Sequence, residues 1–122
     1  MREFKFRAWD LDRKQMMRVL SIEWLDAVYV SYWNEQGVAR ANNILMQYTW
    51  LKDKNGKEIY EGDIITCSAY QREQEEIAEG TKVVVTYSSG YFYPFWYNAG
   101  WRSEVYDSEV IGNIYENPEL IN

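Results

Sequence analysis

Residues 54–57 read Lys-Asn-Gly-Lys, and Asn55-Gly56 is the pair that most narrows what this chain can fold into. Asn and Gly both tolerate positive φ. Side by side they suit the two central positions of a type I′ turn, whose twist matches that of two paired strands. The surrounding sequence follows the same logic. It consists of short apolar or β-branched runs separated by polar bends, with no long helical period.

The first run alternates. Phe4, Phe6 and Ala8 fall on one face, and Glu3, Lys5 and Arg7 on the other, which predicts a strand with one buried side. Asp10-Leu11-Asp12-Arg13-Lys14 turns the chain. Residues 27–33 (Ala-Val-Tyr-Val-Ser-Tyr-Trp) predict a second strand, while 21–26 are read as either strand or a helical turn. Residues 34–37 form a turn, and 44–49 are an apolar run too short for periodicity to assign. A second tight bend is expected at Glu61-Gly62-Asp63, followed by strands over 64–69 and 82–87, with Val83 and Val85 on one face. Between them, residues 71–80 are acidic with almost nothing apolar to bury. They are read as a projecting loop or a short solvated helix ended by Gly80. Ser88-Ser89-Gly90 returns the chain into Tyr91-Phe92-Tyr93, Pro94 interrupts the ladder, and residues 109–115 make the last strand before Asn117-Pro118 ends regular structure. The expected fold class is mainly β (a β-rich α+β chain with little helix), folded as one small bent sheet or barrel.

A 122-residue chain is the size of one domain, and 21 aromatic rings (6 Trp, 11 Tyr and 4 Phe) can give even a short chain a core. The net charge of -6 opposes binding to a polyphosphate, whose affinity comes largely from Lys and Arg, and it offers nothing to anionic lipid. Basic residues are interleaved with acids. Arg13 and Lys14 follow Asp10 and Asp12, and Lys52 and Lys54 flank Asp53, a pattern read as mixed solvated surface. With a single cysteine, Cys67, the chain has no internal disulfide, and a reducing, cytoplasmic setting is expected. No run approaches the roughly 20 apolar residues of a membrane helix, and the first residues do not read as a signal peptide. The sequence contains no histidine, which removes the usual general base and the commonest metal ligand.

Three stretches together carry a resemblance. The chain begins with Phe4-Lys5-Phe6-Arg7-Ala8-Trp9-Asp10. Its middle contains Leu45-Met46-Gln47-Tyr48-Thr49 and the continuous run from Leu51 through Asn55-Gly56 to Glu61-Gly62-Asp63-Ile64. It ends with Val110-Ile111-Gly112-Asn113-Ile114-Tyr115-Glu116-Asn117-Pro118-Glu119-Leu120. In this order the sequence resembles the YopX-like family of phage and prophage proteins. The resemblance implies a single domain over 1–122. Residues 1–50 would form an N-terminal β subregion, and 51–122 an SH3-like barrel with an acidic insertion at 71–80. It also implies homo-oligomeric assembly, and it brings no catalytic residue with it. Trp50 stands where the family pattern leads one to expect glycine. If that glycine serves a positive-φ turn, the backbone here is expected to differ, because Trp adopts that conformation only at a cost.

The candidate sites follow from residue type. Glu58, Glu61 and Asp63 cluster around Gly62 and could hold a hard cation or act as an acid/base pair in a carboxylate-dependent hydrolase. Their spacing fits no calcium loop, and turn chemistry accounts for them better. Cys67 could be a nucleophile, but without histidine it lacks its usual base, and a buried inert thiol is the expectation. The run Tyr91, Phe92, Tyr93, Phe95, Trp96, Tyr97 and Trp101 is the most unusual feature. Exposed rings could anchor a protein interface or stack on single-stranded nucleic acid, but stacking binders pair rings with a positive groove, and only Arg102 lies nearby. Trp50, Tyr91, Tyr93, Trp96 and Trp101 are taken as the candidate interaction surface. The expected protein has no enzymatic activity, cofactor or metal. It is expected to self-associate through protein contacts, with a host or phage protein as a further partner, and without nucleic acid or membrane.

Overall fold

In a computed structural model of the chain, the described residues are 4–24, 28–34, 37–40, 43–66, 70–72, 75–77, 80–88, 91–94 and 108–121. They are almost entirely strands: β1 (Phe6–Asp10), β2 (Gln15–Arg18), β3 (Ser21–Trp24), β4 (Val28–Asn34), β5 (Gly37–Arg40), β6 (Asn43–Lys52), β7 (Glu58–Tyr60), β8 (Asp63–Thr66), β9 (Tyr70–Arg72), β10 (Glu75–Ile77), β11 (Lys82–Val84), β12 (Thr86–Ser88), β13 (Tyr91–Tyr93) and β14 (Glu109–Asn113). Among these residues the helical content is one 3-10 turn over Pro118–Leu120, and no helix is long and apolar enough to cross a membrane. The mainly-β expectation is what the chain does. The chain divides into two compact units between Gln47 and Tyr48, within β6.

In the first unit, β1 pairs antiparallel with β2 and with the start of β6, and β3–β4–β5 form a meander. Residues 21–24, open to a helical reading, are strand. Ser21 pairs with Ser31, their hydroxyls share a hydrogen bond, and Leu20 N–H donates to Ser31 O at 2.9 Å. The β1–β2 hairpin turns on Asp10. Its Oδ1 accepts the N–H groups of Asp12 and Arg13 at 2.9 and 3.0 Å, and its carbonyl accepts that of Lys14, which sits at φ 58. Asp10 is therefore buried rather than part of a solvated face. A short side chain that bonds the backbone two and three residues ahead belongs inside its turn.

In the second unit, β8 runs between β11 and β14. Ile64 and Ile65 point to opposite faces of β8 and are both fully buried, so both faces of this strand are covered. The core is Ile59, Ile65, Val83, Val85 and Phe92, with Trp50, Leu51, Tyr93 and Val110 packed against it. Val83 and Val85 share the buried side as the alternation predicts, although the strand breaks between them. Val85 leaves the ladder to exchange bonds with the Gly62–Asp63 bend: Gly62 N–H to Val85 O and Val85 N–H to Asp63 O, both 2.8 Å.

Two expectations fail in this unit. The solvated-helix reading of 71–80 does not hold where that segment is described, because β9 and β10 pair in register (Glu75 with Arg72, Ile77 with Tyr70). After Asn117 the chain still makes a 3-10 turn, with Ile121 N–H to Pro118 O at 3.3 Å; Pro at the first position suits a helix start, where an N–H has no partner to lose.

The C-terminal bend gives a first testable consequence. Asn113 Oδ1 accepts the N–H groups of Tyr115 and Glu116, while Asn117 Oδ1 accepts Asn113 N–H at 3.2 Å and lies against Gly112. A Cβ on residue 112 would stand 2.5 Å from that oxygen. Gly112→Ala must displace Asn117 and strand the Asn113 N–H, so it should lower stability by about 1–2 kcal/mol in a urea melt.

Candidate interaction face

The Asn55-Gly56 hairpin positions much of the second unit, but not as a type I′ turn. Gly56 alone has positive φ (81°), and Asn55 does not. The turn begins at Asp53, whose carbonyl accepts Gly56 N–H at 3.0 Å, and closes with Asp53 N–H to Lys57 O at 2.8 Å. Asp at the first position and Gly at the fourth are the signature of a type I turn, here followed by a left-handed residue. The Asp53 carboxylate, 5% exposed, then does two things. Its Oδ1 accepts Asn55 and Lys57 N–H at 2.8 and 2.9 Å, and its Oδ2 accepts the N–H of Val110, 57 positions away, at 2.9 Å. Lys54 N–H to Ser108 O at 3.0 Å and the Lys54–Glu109 ion pair at 3.5 Å add to the same seam. Burial pushes the Asp53 carboxyl up. The N–H groups of Val110, Lys57 and Asn55, with the charge of Lys57, outweigh it and hold the group below its usual 3.8. Like Asp10, Asp53 is a buried turn organiser, not solvated surface.

The same explanation covers Asp63 among the candidate carboxylates. Asp63 is buried, and its Oδ2 accepts Tyr60 N–H at 2.7 Å across the Gly62 bend, where Gly62 has φ 83°. Glu58 and Glu61 are half-buried. Among the described residues no three acids or thiols gather as a metal-binding group. Cys67 lies outside the described residues.

The aromatic residues assemble on β6, β12 and β13. Tyr87 and Phe92 face each other across the hairpin, with ring centroids 5.1 Å apart and an edge-on tilt of 62°. Trp50 also packs edge-on against Phe92, at 6.3 Å and 84°. The three rings form a graded row. Phe92 is 8% exposed and belongs to the core, Trp50 is half-buried, and Tyr87 is 56% exposed. Tyr93 also packs against the core. Of the surface proposed from sequence, the structure thus brings together Trp50 and Tyr93, both partly inside. Trp96, Trp101 and the side chain of Tyr91 lie outside what is described. Tyr87 was not singled out from sequence. It ends a valine-rich strand, and only the pairing opposite Phe92 reveals that it continues the row.

Trp50 itself sits at φ 67°. Between the pairs Tyr48–Tyr60 and Lys52–Glu58, β6 carries two more residues than β7, so it bulges. Thr49 Oγ1 fills the gap by donating to Ile59 O at 2.8 Å and accepting Leu51 N–H at 3.2 Å. The expected local change of backbone does not occur. The position requires a left-handed residue, and tryptophan adopts it.

A family model described as YopX protein matches residues 5–122. The chain belongs to the YopX family. Among solved structures, protein EF1440 from Enterococcus faecalis is similar, with 28% identity, a TM-score of 0.69 and full coverage of both chains. No curated protein matches the sequence.

Proposed function

We propose that this YopX-family chain is a non-enzymatic, phage- or prophage-encoded accessory protein of the host cytoplasm that self-associates and acts through protein contacts. In this reading its second half closes as an SH3-like barrel, and the row Trp50–Phe92–Tyr87 is the contact surface. The observation that carries it is Tyr87. A tyrosine this exposed, packed on Phe92, which in turn packs on Trp50, offers a rigid amphipathic anchor at little cost in side-chain entropy, as interface hot spots do.

The test is light scattering across a micromolar dilution series, with Tyr87→Asp beside the parent chain. Tyr87 is largely exposed, so the variant should still fold, losing only the edge-on contact with Phe92, about 1 kcal/mol. Its self-association should weaken by about tenfold or more, as expected for a central aromatic anchor. A parent chain that stays monomeric throughout would sink the reading. A low-salt titration with a short single-stranded oligonucleotide tests the alternative of nucleic-acid stacking on the aromatic hairpin at 91–101. Salt-sensitive binding would favour that alternative.

A further inference from the structure

Asn55-Gly56 is the only Asn-Gly pair in the chain. Glycine offers no side chain to hinder attack by its own amide nitrogen on the preceding asparagine, so this pair is the position where the backbone can most readily turn on itself chemically. Asn55 is exposed, and around Gly56 a space the size of a Cβ meets nothing within 4 Å. The surroundings leave room for the reaction. The hydrogen bonds do not: Gly56 N–H is donated to Asp53 O at 3.0 Å, Asn55 N–H to Asp53 Oδ1 at 2.8 Å, and Asn55 Nδ2 reaches Glu109 Oε1 at 3.4 Å.

We propose that Asn55 is a site of spontaneous deamidation, that the Asp53 turn holds the reaction slow, and that the reaction in turn loosens the seam to β14. In the first step Gly56 N, losing its proton to solvent, bonds to Asn55 Cγ; the Cγ–Nδ2 bond breaks and ammonia leaves, giving a cyclic imide. Water then opens the ring at either carbonyl and gives aspartate or isoaspartate. No redox partner is needed. Both products replace the Nδ2 donor facing Glu109 with a carboxylate and place a new negative charge beside Asp53 and Glu109, at the end of the turn where Lys54 and Lys57 partly offset it. Isoaspartate also adds a backbone atom inside a turn whose register is set by two bonds to one carboxylate. Attack requires Gly56 to leave Asp53 O, so it proceeds through local opening of the hairpin.

The experiment is incubation of the full chain at mildly alkaline pH, with peptide mapping by mass spectrometry of the segment containing residues 53–57. It is run in native buffer and in denaturant. Conversion at Asn55 should exceed that at every other asparagine in both conditions and run about tenfold slower in native buffer, because the turn must open first. Conversion spread evenly over the asparagines, or equal rates in the two buffers, would overturn the proposal. Asn55→Asp, made directly, reads the consequence. Amide exchange at Val110 should accelerate relative to the parent chain, and an unchanged rate there would refute the loosening of the seam.

Discussion

Asp53→Ala should lower the stability of this chain by about 3–4 kcal/mol, a fall in melting temperature of about 12 °C, although it removes one small side chain from the edge of a turn. The Asp53 carboxylate accepts three backbone N–H groups, two within the hairpin and one from Val110 in β14. Each is a hydrogen bond to a charged acceptor, stronger than its neutral counterpart, and each donor loses its acceptor when the carboxylate goes. Asp53→Asn separates charge from geometry. Its Oδ1 can still serve Asn55 and Lys57, but its Nδ2 would meet the Val110 N–H donor to donor, so about half the loss should remain. Acid adds an independent check. The folded-state pKa lies below the ordinary 3.8, so the carboxylate's contribution is present above that value and is lost as pH falls through the folded pKa. In urea melts the gap between parent and Asp53→Asn should stay constant from pH 7 to about 5 and narrow below pH 4. A gap that widens on acidification would contradict this assignment.

Which strands this chain forms was largely legible in its sequence, because alternation and turn residues are local signals. β1, β4, β8, β11 and β14 all fall where the short apolar runs predict. What was not legible comes from distance. Asn55-Gly56 announces a turn, but Asp53, two residues earlier and bonded to Val110, selects type I over type I′. Asp10 and Asp53 look like members of mixed-charge surface because the lysines and arginine beside them are exposed. Only the direction of the side chain, back into its own turn, separates the buried acid from its solvated neighbours. At Gly62–Asp63 the carboxylate was correctly read as turn chemistry, since glycine stands next to it. The acidic stretch hid its β9–β10 pairing because backbone ladders leave no apolar signature when neither face is buried in the sequence pattern. The aromatic row was legible only in part. A run of aromatic letters points to residues 91–101, while Tyr87 joins the row through strand pairing, which composition cannot display.

Position 50 should reverse the usual order of alanine and glycine. Trp50 holds φ 67°, a conformation that costs a residue with a Cβ about 1–2 kcal/mol and glycine almost nothing. Its ring offsets that cost by packing on Phe92 and the core, a half-buried contact contributing about 2–3 kcal/mol. Trp50→Ala keeps the strained backbone and loses the ring, so it should be destabilised by the whole contact, about 3 kcal/mol with the cavity it leaves. Trp50→Gly loses the same ring but releases the strain, and it should be only about 1–2 kcal/mol less stable than the parent. Elsewhere in a strand glycine is the more costly replacement, because of the chain entropy it adds to the unfolded state. Denaturant melts of the two variants therefore distinguish a left-handed residue in the β6 bulge from an ordinary strand position. Glycine more stable than alanine supports the bulge, and alanine more stable than glycine refutes it. In the first case tryptophan has taken a position suited to glycine and holds it through Phe92, so the ring that strains β6 is the same ring that supports the exposed Tyr87 row.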